Sequence, residues 1–314
     1  MTHALEMING IGPTIASKLR GIGITSIEAL AVTPPRFISE ATGISEKVAI
    51  QLCKNARELL NITFITADEY FKRRLSIGKI TTGCKALDNL LDGGIETGAI
   101  TEFAGEFGTG KTQIAHQLSV TVQLPKEEGG LEGATLYVDT EGTFRPERIV
   151  QIAPRFNLDG KEALRNIVFA RAYNSDHQML IIDEASNVIE EHNVKLIVVD
   201  SLIGHFRGEF PGRENLALRQ QKLNRHIRQL LSLADAYNLA VIVTNQVMAN
   251  PAIFFGNPNK PAGGHVLAHN CTYRVWLRKA KGNKRVARIF DSPMHPEAEC
   301  TFQINEIGIV DIEE

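Results

Sequence analysis

The chain has 314 residues, of which 34 are lysine or arginine and 36 are aspartate or glutamate, and its formal net charge is −2 at pH 7. This balance excludes a strongly basic protein, so any contact with nucleic acid must come from local clusters of positive charge. The hydrophobic content is 43%, and no apolar stretch approaches the roughly 20 residues that span a bilayer, which predicts a soluble globular protein without membrane contact.

Residues 1–60 are predicted to form a small all-α domain, because short helical patterns alternate there with glycine and proline breaks. The segment 8–13 (INGIGP) precedes a helix and resembles a helix-hairpin-helix turn. Gly10 and Gly12 would allow a tight hairpin whose N–H groups hold a DNA phosphate without reading sequence. An ordinary helix–helix turn is the alternative, both here and for a weaker second copy at 42–45.

Residues 61–76 are predicted to be an interdomain linker, since the stretch NITFITA favours extended structure and then enters a helix that ends in basic residues. Over residues 77–314, strand-like runs alternate with amphipathic helices. This order predicts an α/β core with a mostly parallel sheet and with antiparallel strands added near the end.

The octapeptide 105–112 (GEFGTGKT) matches the phosphate-binding loop G-x-x-x-x-G-K-[ST] and lies between a strand-like run and a helical pattern. Its glycines would let successive N–H groups point at a triphosphate. Lys111 would neutralise the β- and γ-phosphates, and Thr112 would ligate Mg²⁺. The nucleotide-binding residues predicted in this segment are Gly105, Glu106, Phe107, Gly108, Thr109, Gly110, Lys111, Thr112 and Gln113.

Polar side chains follow three apolar strands of the predicted sheet. Asp200 is the candidate to hold Mg²⁺ through water, and Asp139 is the alternative at the end of another strand. Glu141 lies just past that second strand and is assigned to orient and deprotonate the attacking water, with a purely structural capping role as the alternative. Gln246 is predicted to sense the γ-phosphate by hydrogen bonding. The predicted catalytic residues are therefore Lys111, Glu141 and Gln246.

Two segments that follow these strands are predicted to be DNA-binding loops. Residues 247–264 are too rich in glycine, proline and asparagine for regular structure. Phe254 and Phe255 suit stacking on bases, although burial in a partner interface is the alternative. Residues 205–213 form a shorter loop with arginines for phosphates. The DNA-binding residues predicted in this region are Arg207, Arg213, Arg219, Phe254, Phe255, Gly263 and Gly264.

Seven basic residues and no acidic ones lie between Arg274 and Arg288, which indicates either a local anion-binding cluster or a solvated strand edge.

The cysteines and the N-terminus indicate the cellular compartment. The four cysteines lack C-x-x-C spacing and the N-terminus lacks a signal-peptide pattern, so we expect a cytoplasmic protein with reduced thiols.

Six segments resemble the strand-exchange recombinases of the RecA superfamily, most closely their archaeal RadA and eukaryotic branch. They are GEFGTGKTQ, YVDTEGTFRPERI, LIVVDS, RQQKLNRHIRQLLSLADAYNLAVIVTNQV, KPAGGHVLAH and DSPMHPEAE. The resemblance covers nearly the whole chain. It implies a RecA-like core and a DNA-dependent ATPase that uses ATP and Mg²⁺, forms helical filaments on single-stranded DNA, and exchanges strands with a homologous duplex during DNA repair.

The resemblance also implies how subunits would assemble. Phe64 and Ala67 would insert into a neighbouring core domain and add a strand to its sheet, a contact that propagates into a filament. Arg148 would pack on the adenine, and His269 would lie near the γ-phosphate. The neighbouring subunit would cap the ATP with Asp291, Pro293 and Glu297, and Lys279 and Lys281 would approach the same phosphates.

Other functions remain open at this stage. A recombinase paralogue that assists filament loading would bind ATP and DNA, a hexameric helicase could share the phosphate-binding core, and a non-enzymatic DNA-binding adaptor is a third option. The leading hypothesis implies single- and double-stranded DNA and further copies of the chain, as a filament or a ring, as partners. It also leaves room for mediator proteins.

Overall fold

The computed structural model describes residues 5–60, 62, 64–249, 259–262 and 264–312. Its N-terminal part contains a 3-10 turn (Leu5–Met7) and the helices α1 (Pro13–Arg20), α2 (Ile27–Val32), α3 (Pro35–Thr42) and α4 (Glu46–Leu59). Proline opens α1 and α3, and the side chains of Ser26 and Ser45 accept backbone N–H groups at the starts of α2 and α4. The apolar faces enclose a separate core that includes Leu19, Leu30, Ile38 and Leu52.

The segment that follows leads into α5 (Ala67–Leu75), which starts with a capping box between Thr66 and Glu69. No residue of α5 is buried, and the Phe64 side chain just before it is fully exposed. This part of the chain therefore contributes nothing apolar to either core. The domain limits at 60 and 76 stay predictions.

The rest of the chain builds one large sheet and a small ladder. The ladder joins β1 (Lys79–Ile80) to β2 (Ile95–Glu96). The strands of the large sheet are β3 (Ile100–Gly105), β4 (Ala134–Asp139), β5 (Ile167–Arg171), β6 (Val194–Asp200), β7 (Ala240–Ala249), β8 (Asn259–Pro261), β9 (Tyr273–Lys279), β10 (Lys284–Asp291), β11 (Glu299–Asn305) and β12 (Gly308–Val310).

The strand order is β12-β11-β10-β9-β3-β7-β6-β4-β5, with β8 paired to β7. The pairs from β9 to β5 are parallel, and the pairs from β9 to β12 are antiparallel. This confirms the predicted α/β core with antiparallel strands added near the end. Because parallel strands end at the same edge, the carboxyl ends of β3, β4, β6 and β7 lie side by side.

Helices cover both faces of the sheet. They are α6 (Lys85–Leu90), α7 (Lys111–Thr121), α8 (Pro146–Ile152), α9 (Gly160–Arg165), α10 (Ser175–Asp183), α11 (Ala185–His192), α12 (Gly204–Glu209), α13 (Leu216–Tyr237) and α14 (Gly264–Asn270). On β4, Tyr137 enters the core beneath α7 and α8, whereas Leu136 and Val138 enter the core beneath α10, α11 and α13. Burial on both faces explains why the central strands read as continuous apolar runs. Over the described ranges, no helix is long and apolar enough to cross a bilayer.

Two predicted loops prove partly regular. The prediction of irregular structure for 247–264 is wrong at both ends: β7 continues to Ala249 and pairs with β8, and Gly264 begins α14. Hydrogen bonds between main-chain groups hold this pairing, so the strand ends form despite the glycine, proline and asparagine content that suggested a loop. Likewise, 205–213 begins within α12, where buried Phe206 fixes a helical turn to the core. Phe254, Phe255 and Gly263 lie outside the described residues.

Candidate active site

The phosphate-binding loop connects the end of β3 to the start of α7, as the sequence predicts. Gly110 caps α7 with φ +105°, a backbone conformation that favours glycine. A Cβ atom on Gly105 would lie 2.5 Å from the carbonyl oxygen of Leu277, and one on Gly110 would lie 2.7 Å from Cδ1 of Ile304. Neighbouring strands therefore press the loop into a turn that only glycine fits at these two positions.

A cavity of about 490 Å³ opens above this loop. It collects predicted residues from four separate strand ends, together with several that the sequence did not indicate. Its lining residues are Phe107, Gly108, Gly110, Lys111, Thr112, Gln113, Glu141, Thr143, Arg148, Asp200, Ser201, Thr244, Gln246, Arg285 and Ile304. The volume falls within the range of small-molecule sites.

Lys111 lies at the base of the cavity. Its ammonium donates to the carbonyl oxygens of Gly105 at 2.8 Å and Glu106 at 2.9 Å. Burial lowers the pKa of Lys111, and the negative charges of Asp200 and Glu141 act in the opposite direction. The lysine is thus a cation held among carboxylates, a setting suited to an anionic ligand.

The two strand-end aspartates have different surroundings. The Asp139 carboxylate accepts the backbone N–H groups of residues 141–144 and pairs with Arg171 at 2.9 Å. The Asp200 carboxylate accepts the hydroxyl groups of Tyr137, at 2.9 Å, and Thr244, and it lines the same cavity as Thr112. Asp139 therefore braces the loop that carries the next residues, whereas Asp200 faces the cavity.

Glu141 and Gln246, which the sequence places 105 residues apart, are hydrogen-bonded to each other. The Glu141 Oε1 atom accepts from Gln246 Nε2 at 2.8 Å and from Ser201 Oγ at 2.6 Å. Sequence reasoning missed Ser201, although it directly follows Asp200. The two donors hold the carboxylate in one orientation at the cavity wall.

Arg148 lies at the edge of the cavity and is fixed by hydrogen bonds. Its guanidinium donates to the side chains of Gln113, at 2.7 Å, and Gln151, at 3.0 Å, and to the carbonyl oxygens of Asn305 and Glu306, both at 2.5 Å. Burial lowers the pKa of Arg148. A guanidinium held in this way offers a fixed planar surface beside the cavity.

Arg285 and Ile304 also line the cavity. Arg285 belongs to the basic cluster that the sequence indicated at 274–288, whereas no local sequence signal indicates Ile304. They lie on β10 and β11, antiparallel strands that the sheet order brings toward the loop. The buried Nε of Arg285 has no hydrogen-bond partner among the described residues. An unpaired buried donor at a cavity wall is available to a ligand.

The predicted ATP-capping residues do not line this cavity within one chain. The Asp291 carboxylate lies 3.6 Å from Arg274, and Glu297 pairs with Arg288. His269 is exposed on α14. The capping residues therefore lie elsewhere on the chain, near the end of β10 and beyond it.

Three of the seven basic residues at 274–288 pair with carboxylates. Arg274 is buried and pairs with Glu102, and Arg278 lies 3.4 Å from Glu299. Lys279, in contrast, lies against the phosphate-binding loop of its own chain: a Cβ on Gly108 would be 2.9 Å from its Nζ. The cluster thus divides between ion-paired arginines and residues at the cavity, namely Lys279 at the loop and Arg285 at the wall.

The predicted DNA-binding residues of the described part are spread over two regions. Arg207 is half-buried on α12, Arg213 is exposed, and Arg219 donates to the carbonyl of Phe210 at 2.9 Å. In the N-terminal bundle, Gly10 has φ +97° and Gly12 caps α1, with open space around the position of its missing Cβ. The bundle helix α2 contacts α13, the helix that carries Arg219.

Comparison with known proteins gives consistent matches. The Rad51 family model matches residues 73–312, and a model of the SAM-like helix-hairpin-helix tandem matches residues 3–58. A DNA repair and recombination protein RadA from Aeropyrum pernix is 55% identical over 304 residues, which cover 97% of this chain and 95% of that protein.

Proposed function

Because the chain belongs to the Rad51 family, we propose that it is an ATP-hydrolysing DNA recombinase that forms filaments on single-stranded DNA and catalyses homologous pairing and strand exchange in DNA repair. The observation that carries the ATPase part is the cavity that joins the phosphate-binding loop to Asp200, Glu141 and Gln246. Residues 1–60 act as an auxiliary DNA-binding domain, 61–76 as the linker and 77–314 as the ATPase core. The protein acts in the cytoplasm.

The phosphate-binding loop and Lys111 hold the triphosphate of ATP. Two features support this binding mode, namely the glycine cradle that a Cβ would fill and the ammonium beneath it. Thr112 and Asp200 both line the cavity, and their side-chain oxygens are of the kind that magnesium prefers. When bound, Mg²⁺ would neutralise charge that develops on the transferred phosphoryl group.

Glu141 positions the attacking water and accepts its proton. The hydrogen bonds from Ser201 and Gln246 fix the carboxylate, so its free lone pairs point in a set direction. Gln246 also lies on β7, whose continuation pairs with β8. A change in its hydrogen bonding at the γ-phosphate is therefore transmitted directly into the hairpin that leads to residues 250–258.

Filament assembly uses Phe64 and Ala67. Both are exposed in their own chain, and β5 is the last strand of the sheet, so its outer edge pairs with no other strand of the described residues. Val168, Ile181 and Val188, on β5, α10 and α11, are partly buried against the core and provide an apolar surface beside that edge. The linker of a neighbouring subunit adds to β5 there.

This assembly would complete the nucleotide site between subunits. Arg148 packs on the adenine, and His269 and the capping residues Asp291, Pro293 and Glu297 act from the neighbour. Their distance from the cavity of their own chain supports a role in another subunit. The basic residues Arg207, Arg213 and Arg219, with Phe254, Phe255, Gly263 and Gly264, contact single-stranded DNA, while Gly10 and Gly12 contact duplex DNA.

The test is an ATP-dependent strand-exchange assay on wild type, Lys111→Ala and Phe64→Glu. We expect Lys111→Ala to lose ATP hydrolysis and joint-molecule formation, because the phosphates lose their cation. Phe64→Glu should stay monomeric by light scattering and form no joint molecules. Phe71→Glu is the matched control, since Phe71 is an exposed phenylalanine on neighbouring α5.

Normal assembly and joint-molecule formation by Phe64→Glu would contradict the filament proposal. ATP hydrolysis that does not respond to single-stranded DNA would instead favour a paralogue that assists filament loading.

A further inference from the structure

A second polar cavity, of about 560 Å³, lies at the opposite end of the parallel sheet from the phosphate-binding loop. Its wall includes Thr97, Glu132, Asn193 and Asn238, which precede β3, β4, β6 and β7. The phosphate-binding loop follows the carboxyl end of β3, so the strands separate the two cavities by about 20 Å. A ligand in this second cavity is therefore distinct from a nucleotide in the first.

Two lysines without a compensating charge line this second cavity. Among the described residues, the ammonium groups of Lys126 and Lys195 have no hydrogen-bond or ion-pair partner. Lys195 is half-buried on β6, where burial lowers its pKa and the positive charge of Lys126 lowers it further. Lys126 is exposed and Lys195 half-buried, and both line the same cavity, so an anion there would relieve the repulsion between their charges.

The other charged residues of the wall do not relieve this repulsion. Lys79 is a third lysine, but its ammonium is paired with Asp92 at 2.9 Å. Glu132 also lines the cavity, yet among the described residues no ion pair joins its carboxylate to a lysine. The cavity therefore keeps a local excess of positive charge in a protein whose net charge is −2.

We propose that this cavity binds a phosphate group, held between the ammonium groups of Lys126 and Lys195. A phosphate dianion compensates both charges, whereas a carboxylate compensates one. The side-chain amides of Asn193 and Asn238 and the hydroxyl of Ser76 also line the wall, beside the apolar side chains of Ile77 and Leu131. The source of the group is either free phosphate or the backbone of DNA, and the proposal is independent of the roles assigned at the phosphate-binding loop.

The first experiment measures the rise in thermal midpoint that inorganic phosphate produces over chloride at equal ionic strength, in the full-length protein. We compare wild type with Lys126→Gln and Lys195→Gln, and use Lys161→Gln, an exposed lysine on α9, as the matched control. The phosphate-binding loop is intact in all variants, so its contribution cancels. We expect both cavity variants to lose part of the rise and Lys161→Gln to keep all of it.

Lys195→Arg guards against a folding defect, because it keeps the charge and should keep the phosphate response. An identical rise in wild type, Lys126→Gln and Lys195→Gln would overturn the proposal.

The second experiment identifies the source by measuring DNA affinity as a function of salt concentration. If the group belongs to DNA, a variant that combines Lys126→Gln and Lys195→Gln should lower the slope of log K against log salt. The expected decrease is about 0.7–0.9 for each DNA phosphate that the two lysines neutralise in wild type. A lost phosphate response with an unchanged slope assigns the cavity to free phosphate.

Discussion

Replacement of Asp139 or Asp200 by asparagine should damage the protein in two different ways, although both residues end neighbouring strands at the same edge of the sheet. Asp139 is buried and serves the backbone of residues 141–144 and Arg171. Asp200 faces the cavity that contains Lys111. We therefore expect Asp139→Asn to reduce stability and Asp200→Asn to reduce catalysis.

The magnitude follows from the contacts. In Asp139→Asn, the amide NH₂ group takes the place of Oδ2, so the Phe144 N–H group faces a donor. The hydrogen bonds from the other backbone N–H groups and from Arg171 then go to a neutral amide oxygen and not to a charged carboxylate. Breaking a buried ion pair costs about 3–5 kcal/mol. Because the Arg171 side chain is 30% exposed and water can compensate it, the low end of about 3 kcal/mol applies. Asp200→Asn keeps one acceptor oxygen and should change stability by about 1 kcal/mol, while ATP hydrolysis falls by about 100-fold or more.

The assay pairs urea unfolding with ATP hydrolysis in the presence of single-stranded DNA. The chain has a single tryptophan, Trp276 on β9, so its fluorescence reports on unfolding of the core and not of the N-terminal bundle. Each variant is compared at the same protein concentration, because assembly would itself add stability. The reasoning is refuted if the urea midpoint of Asp139→Asn equals that of wild type while the midpoint of Asp200→Asn is lower.

Three further changes test two residues of the site and His226, a buried residue of α13. Glu141→Gln should bind ATP normally but hydrolyse it about 100-fold or more slowly in a steady-state assay, because the amide held by Gln246 cannot accept a proton. Burial lowers the pKa of His226 from 6.5 to about 3. Its contribution to the free energy of unfolding is therefore complete above pH 6.5 and is lost as the pH falls toward 3. In His226→Gln, the free energy of unfolding should depend less steeply on pH below 6.5, by about 1.4 kcal/mol per pH unit. Gly105→Ala should weaken nucleotide binding in a fluorescent-nucleotide titration and cost about 2 kcal/mol, because its Cβ would lie 2.5 Å from the Leu277 carbonyl oxygen, and an unchanged affinity would show that the loop tolerates a side chain.

The sequence was sufficient for the family, the α/β core and the phosphate-binding loop. The functional groups of a motif such as GEFGTGKT lie on consecutive residues. One strand–turn–helix unit places its backbone N–H groups, its lysine and its hydroxyl group. The alternation of strand-like runs with amphipathic helices predicted a mostly parallel sheet, and this prediction is confirmed. Such features depend on local geometry, which a sequence carries directly.

Only the tertiary structure distinguished Asp200 from Asp139, because both end apolar strands and differ in which groups reach their oxygens. It also joined Glu141 to Gln246 and brought Arg285 to the cavity wall. These contacts follow from a strand order that places β3 beside β7 and β9, far apart in the chain. Hydrogen bonds and ion pairs between such distant segments are set by packing, for which local composition holds no signal.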